Sequence, residues 1–395
     1  MKLVSGGGKK PEKPKKRQQS DGDTSRKKSK APTIILTVLA LIIIGTVVYF
    51  AIATKPPEIK DPDPNPPEAS GTELQASDDP QISEDERYYT MLIVGEDQLE
   101  VNTDTIMVAR FDAIDHKLNI VSIPRDTLVN IPISVKKINT IYNNPDGGID
   151  ALLDEIDKIA GFRPNNYVIV NIEAFERIID AIGGVWFDVP QDMWYHDYTP
   201  EYNYEFTIEL EAGYQLLNGY DALGVWRFRQ NDDGTGYADG DIGRLEVQHD
   251  LLMAIAQQVM DLGLADWNKL LNIAQVAMDT CKTDLALGNV LWYAKEFLKM
   301  DLEDLDVSTV PGNYFTHIRN WGYVSIYVDE WLEIVNEKLS PLDTPVTRED
   351  VEILYQVAHD NDRYELDPAN YPVTNGAPVA GGLDSFYWPP GVPKT

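Results

Sequence analysis

The stretch YYTMLIVGEDQLEVNTDTIMVARFDAIDHKLNIVSIP, residues 88–124, decides the fold. It contains three apolar runs of strand length: YYTMLIVG (88–95), DTIMVARF (104–111) and LNIVSIP (118–124). The last two are joined by the charged turn DAIDHK, so three consecutive strands are predicted. Downstream the period changes. IDALLDEIDKIAGF has helical spacing and stops at Gly161. YVIVNI (167–172) is a strand, EAFERIIDAIGG a helix, VWFDVP a strand, FTIEL (206–210) a strand and GYDALGVW a helix. The aromatic-dense QDMWYHDYTPEYNYEF reads as a loop. A long amphipathic helix is expected from Ile242 to Leu262, with Leu245, Leu252, Ile255 and Val259 on its apolar side. Further helices fall near 264–280 and 286–299, then strand-like VSTVPG and a last helix, VDEWLEIVNEKL. Beyond Ser340 the chain turns Pro/Gly/Asp-rich, with TREDVEILYQVA as one short helix candidate. Strands interleaved with helices predict an α/β domain, residues 87–340, whose sheet is covered on its faces.

Before this domain the composition shifts twice. Ala31 to Thr54 holds no charged residue and is long enough to cross about 30 Å of hydrocarbon as a helix. A cleaved signal peptide would have a shorter apolar core and a small-residue cleavage site, which the Pro-rich sequence after Thr54 does not offer. Residues 1–30 carry eleven Lys/Arg against Glu12, Asp21 and Asp23. The positive-inside rule then predicts a single-pass cell-membrane protein with a cytoplasmic basic tail (1–30), one transmembrane helix (31–54) and the rest outside. Residues 55–86, rich in Pro and acids, read as an extended linker, and 341–395 as an acidic C-terminal extension.

The chain has 34 Lys/Arg and 64 Asp/Glu, so the exterior part keeps 23 basic and 61 acidic residues. Such a surface repels nucleic acid. Cys281 is the sole cysteine, which excludes an intrachain disulfide, and it falls in an apparent apolar helix, AQVAMDTC, as a structural thiol. No CxxC, HExxH or His pair at metal spacing occurs, so zinc chemistry is not expected.

Against this acidic background one stretch is conspicuous: WRFRQNDDGTGYADGDIGRLEVQ (226–248). If extended, it would put Arg227 and Arg229 on one face and Trp226 and Phe228 on the other. Asp241, Arg244 and Gln248 are spaced to form one helical stripe. Clustered guanidinium groups match phosphate oxygens bidentately, which points to a strongly anionic ligand. SIPRD (122–126) adds Arg125 and Asp126 at a strand end, and VGED (94–97) adds Glu96 and Asp97 opposite Asp104. Carboxylates across a short loop can hold Mg²⁺, which takes oxygen ligands and keeps waters for substrate phosphates. Taken singly, each acid is also ordinary turn chemistry. Together they suit a pyrophosphate with its metal.

The segments TDTIMVARFD, VSIPRDTLVNIP, KINTIY, AIGGVWFDVP with QDMWYHD, GYQLLNGYDALGVWRFRQ and GDIGRLEVQ occur in an order that resembles the LytR-CpsA-Psr family of Gram-positive bacteria, over roughly Tyr88 to Leu339. The resemblance implies a central mixed β-sheet covered by helices, in an α/β/α arrangement, with a pocket for a polyprenyl chain. It implies transfer of a phosphate-linked glycopolymer, such as teichoic acid or capsule, from a polyprenyl-pyrophosphate carrier to peptidoglycan, with Mg²⁺ as cofactor. By motif, Arg125, Arg227, Arg229, Arg244 and Gln248 would contact the pyrophosphate. Asp97 and Asp104 would be the metal carboxylates, and Asp126 would act as general base or orient Arg125. Asn102 stands where the family usually has arginine, and Val247 where it often has one. A hydrolase on the same site and a non-catalytic scaffold that binds lipid-linked polymer are the competing readings. Transcriptional regulation is disfavoured, because the domain would lie across the membrane from DNA.

Overall fold

In the computed structural model, β1 (Tyr88–Glu96) runs through the interior of a six-stranded sheet. The structure describes residues 54–59, 87–96, 103–199, 204–238, 240–318, 321–355, 373–375 and 378–382. The candidate membrane span lies outside these residues except for Thr54, as do Asp97 and Asn102. Among the described residues no helix is long and apolar enough to cross a membrane.

The three strands expected from residues 88–124 form as β1, β2 (Thr103–Asp112) and β3 (Lys117–Ser122). They pair antiparallel in sequence, with Tyr88 opposite Asp112 and Phe111 opposite Leu118. β4 (Asn166–Val170) adds parallel to β1, and β10 (Leu305–Thr309) parallel to β3. The two-residue β9 (Lys282–Thr283) completes the order β10-β3-β2-β1-β4-β9. The sheet is therefore mixed. Strands β1, β3, β4 and β10 all end at the edge where β2 begins, and this edge carries Asp104 and Arg125.

Alternation along the strands divides the core. Leu92, Val94, Ile106, Val108 and Val121 face α1 (Ile149–Ala160) and α7 (Val328–Ile334), whose Trp331 is fully buried and donates its indole N–H to the Ile159 carbonyl at 2.6 Å. Burying a side chain of this size stabilises by about 1.5–3 kcal/mol. Tyr89 and Phe111 face the other way, onto α4 (Asp241–Met260) and α6 (Leu287–Phe297), where the Trp292 ring lies 4.9 Å from Tyr89. Helices thus cover both faces, as the resemblance implies. Gly161 ends α1 at φ 72°, and a Cβ there would meet Val346 at 2.5 Å, so glycine is needed for the turn and for the close approach.

A second apolar cluster joins α2 (Ile172–Ile182), β5 (Val185–Val189), β8 (Gly213–Leu217), α3 (Gly219–Arg227) and the first half of α4. Helix α5 (Trp267–Thr280) packs on α2. Cys281 is the residue that ends α5 and leaves it extended; it is half-buried, and burial pushes its thiol up.

Three expectations are corrected. The aromatic-dense segment is not a loop: β6 (Met193–Thr199) forms within it and pairs antiparallel with β7 (Tyr204–Leu210), which holds the expected strand FTIEL, to make a ribbon. Its buried Met193, Phe206, Ile208 and Leu210 belong to the second cluster, and that packing selects the extended form. TREDVEILYQVA does not form the expected helix over its described residues. Val351 and Ile353 are buried in the first cluster, and β13 (Leu354–Tyr355) pairs with the remote β14 (Val373–Thr374). Arg227 and Arg229 do not lie on an extended segment. Arg227 is the last residue of α3, and the chain becomes extended only at Phe228. A hairpin, β11 (Gly312–Ile318) with β12 (Trp321–Ile326), follows β10 without having been foreseen.

Candidate active site

The sheet edge at Asp104 opens on a cavity of about 810 Å³. Asp104, Arg125, Asp126, Arg227, Arg229, Arg244 and Gln248 all line it. The cavity thus gathers every residue that the resemblance assigned to the site and that the structure describes.

Each reaches the cavity by a different local device. Helix α3 is capped by Asn218, whose side chain accepts from the Asp221 amide at 2.9 Å. Its C-terminus delivers Trp226 and Arg227 to the cavity while Phe228, 1% exposed, anchors in the second cluster. The Arg227 guanidinium lies 4.4 Å from the centre of the Phe206 ring, a cation–π contact that orients it. The extended-strand reading put both aromatics opposite the arginines; instead Trp226 lines the cavity beside them, because the helix turns each residue by about 100°. After Arg229 the chain doubles back, with Gln230 bridged to Gly236. A Cβ at Gly236 would sit 2.4 Å from the Arg229 carbonyl, so this fold-back requires glycine. On α4, Arg244 and Gln248 share a face one turn apart. The Gln248 amide donates to the Trp226 carbonyl at 2.9 Å and ties α4 to the end of α3. Val247, between Arg244 and Gln248 in sequence, is 8% exposed and packs in the second cluster.

The opposite wall is the loop after β3. Arg125 donates to Asp104 at 2.6 Å, and Lys137 donates to Asp126 at 2.8 Å. Lys137 thus holds Asp126, and Asp104 accepts from Arg125. The loop folds back on itself: Ile138 N–H donates to the Thr127 carbonyl and Val129 N–H to the Lys136 carbonyl, both at 3.0 Å. It is stitched to β12 by Val324 N–H to the Asp126 carbonyl (2.9 Å) and Leu128 N–H to the Val324 carbonyl (2.8 Å). Lys137 also lies 5.4 Å from the Trp321 ring and 5.6 Å from the Tyr323 ring.

Glu96 does not contribute: it is 6% exposed and is bound by Lys282 at 3.0 and 3.2 Å. Below the cavity, the His249 Nε2 lies 3.4 Å from the Ser122 hydroxyl and 3.3 Å from that of Thr309, and burial lowers its pKa. Burial also raises Tyr314, on the cavity wall, to about 12.

Three groups of residues escaped sequence reasoning. Lys137 stands in KINTIY, a matching segment, but nothing local shows that its partner is Asp126. Tyr195, Asp197, Phe206 and Ile208 form the cavity face of the β6–β7 ribbon; they follow strict alternation, and Asp197 is the register partner of Phe206. Tyr314, Phe315 and Tyr323 come from the unforeseen β11–β12 hairpin.

Asp104 offers hard oxygen, the donor type of Mg²⁺, and its side chain is 51% exposed. Among the described residues no three His, Cys, Asp or Glu gather as a metal cluster. Mg²⁺ does not need one, since it binds through one or two carboxylates and completes its shell with water and phosphate. The residues present fit such an ion.

Residues 62–339 match the model of the LytR_cpsA_psr family. The regulatory protein MsrR of Staphylococcus aureus is 28% identical over 228 residues, covering 56% of this chain and 64% of that protein. The polyisoprenyl-teichoic acid–peptidoglycan teichoic acid transferase TagU of Enterococcus faecalis is 28% identical over 196 residues, 49% of this chain and 59% of that one. An uncharacterized Staphylococcus aureus protein is 29% identical over 209 residues, 53% of this chain and 48% of its own length. The chain therefore spans roughly half to two thirds of the length of these curated relatives. In fold, it resembles TagV of B. subtilis, with a TM-score of 0.52 at 22% identity over 63% of this chain and 94% of that one. It also resembles TagT bound to LI-WTA, with a TM-score of 0.50 at 19% identity over 66% of this chain and 92% of that one. With the family model matched over more than half of its length, the chain belongs to the LytR_cpsA_psr family.

Proposed function

We propose that this protein transfers a phosphate-linked glycopolymer from a polyprenyl-pyrophosphate carrier to a hydroxyl of peptidoglycan, anchored in the cell membrane with its α/β domain outside. The observation that carries this reading is the convergence of Arg125, Arg227, Arg229 and Arg244 on one cavity of a chain with formal net charge -30. Four guanidinium groups gathered in so acidic a protein call for an anion of high charge density. The transferase name of the TagU relative supports the same reading. Support for the anchor comes from the uncharged residues 31–54 behind a basic tail.

In this mechanism the arginines bind the pyrophosphate and offset the charge that grows on the leaving polyprenyl phosphate. Gln248 holds α3 against α4 and so spaces Arg227 from Arg244. The apolar side of the cavity, with Ile106, Met107, Ile123 and Leu245, accepts the start of the polyprenyl chain. The acceptor sugar enters between the β6–β7 ribbon and the β11–β12 hairpin, whose Tyr195, Phe206 and Phe315 offer ring faces for the apolar side of a pyranose. Its hydroxyl oxygen attacks the polymer-linked phosphorus as the bond to the carrier phosphate breaks. Asp126, placed by Lys137, takes the hydroxyl proton. Mg²⁺, when bound by Asp104 and Asp97, would neutralise phosphate charge as a Lewis acid.

The test uses the full chain in detergent with a polyprenyl-pyrophosphate-linked sugar, Mg²⁺ and peptidoglycan fragments, read by mass spectrometry. A phosphodiester-linked glycan that disappears in Arg125→Ala is the expected result. Free sugar phosphate would move the reading to a hydrolase, with water in place of the sugar hydroxyl. Carrier binding without any turnover would leave a scaffold.

A further inference from the structure

The acidic C-terminal extension lies beyond the family match, which ends at residue 339, yet part of it packs beside the site. β13 and β14 bring the chain back onto the domain, and the Asn375 amide donates to the Val351 carbonyl at 3.3 Å. Pro378–Gly382 then lie along the closed end of the loop that carries Asp126 and Lys137. Asn130 grips this segment at two points: its amide donates to the Pro378 carbonyl at 3.2 Å, and its side-chain oxygen accepts from the Ala380 N–H at 2.7 Å. The Ala380 carbonyl accepts from the Lys136 ammonium at 3.0 Å, and the same ammonium donates to the Ile131 carbonyl. Between these bonds Val379 packs on the cluster of Leu128, Ile318, Tyr323 and Leu354.

Two facts give this contact a role at the site. Lys136 is 0% exposed, and a buried ammonium depends on each acceptor it has. Lys137 follows it directly, and in the folded-back loop successive side chains point to opposite sides. Lys136 is turned to the C-terminal segment, and Lys137 is turned to Asp126.

We propose that residues 378–382 act as a strap that positions the Lys137–Asp126 pair by closing the far end of its loop. The role for Asp126 rests on the transferase reading; the strap itself does not. The test compares the full chain with the same chain lacking residues 376–395 and with Asn130→Ala, which keeps the strap but removes its grip. Hydrogen exchange is followed at the Val129 and Ile138 amides, which close the loop. Both variants should exchange there about ten-fold faster or more, as a loop that has lost its brace opens locally. In the transfer assay kcat should fall by about ten-fold while the Kd for polyprenyl pyrophosphate changes by less than about two-fold, because Arg227, Arg229 and Arg244, three of the four arginines proposed to bind it, stand on the opposite wall. Unchanged exchange overturns the strap. Faster exchange with unchanged kcat overturns its positioning role and leaves a packing segment. If the full chain performs no transfer at all, the transferase reading fails, and exchange still decides whether the loop is strapped.

Discussion

The two walls of the cavity are built in different ways. The wall from α3 and α4 shows Arg227, Arg229 and Arg244 on elements rooted in an apolar cluster, with Phe228 and Val247 as anchors. The loop wall shows Arg125 and Lys137, each bonded to a carboxylate, Asp104 or Asp126. The helical wall brings three guanidinium groups to the cavity. The loop wall adds two ion pairs whose formal charges cancel. In the transfer reaction proposed above, most of the anion binding and the handling of the proton are thereby assigned to different walls: the first uses guanidinium forks, the second a carboxylate held in place.

The sharpest test of this division is to remove charge from the helical wall. Arg227→Ala with Arg229→Ala should weaken binding of polyprenyl pyrophosphate by about 3–6 kcal/mol, since each charge-assisted bond is worth about 1.5–3 kcal/mol. Calorimetric titration reads this directly. Affinity within a few-fold of the unaltered chain would mean that the loop wall binds the anion, and the comparison would collapse.

Lys137→Met should have a smaller effect, and on rate rather than on affinity. The stem is kept, but Asp126 loses its partner, at a cost of about 1–3 kcal/mol. Steady-state transfer should show lower kcat with carrier affinity retained. A rise in the carrier Kd as large as that of the arginine variants would place Lys137 among the phosphate-binding cations instead.

How much of this was legible in the sequence depends on how local each feature is. The three strands of residues 88–124 were readable because each buries alternate residues on two cores, and their spacing leaves no room for helices. Arg244 and Gln248 were readable because a helical stripe is a local property. The WRFR segment was misread, since four residues cannot distinguish the end of a helix from a strand. Strand β6 was hidden by its own composition: MWYHDYT mixes aromatic and polar residues without the apolar alternation that made FTIEL in β7 readable. No sequence pattern could have paired Lys137 with Asp126 or Ala380 with Lys136, because these contacts exist only once the loop and the C-terminal segment have folded.

The smallest effect expected is one of pH on stability, and it separates Lys136 from Lys137 although they are adjacent. Burial lowers the Lys136 pKa from 10.5 to about 8, while Glu155 nearby acts in the opposite sense. Below pH 8 both folded and unfolded chains hold this proton, and the folded state bears the burden of a buried charge. Above it the folded chain releases the proton while the unfolded chain retains it up to about pH 10.5. More protons on the unfolded state mean that stability rises with pH across this window. Cys281 works against this from its ordinary value of 9.0 upward, because its raised pKa lets the unfolded chain lose that proton first. The clean interval is therefore between pH 8 and 9. Denaturant titrations at the two ends should show the full chain gaining stability relative to Lys136→Met, in which this ionisation is gone. Parallel curves for the two proteins would mean that Lys136 keeps its proton throughout. The strap would then hold a permanent cation, and its grip on the loop would not change over this range.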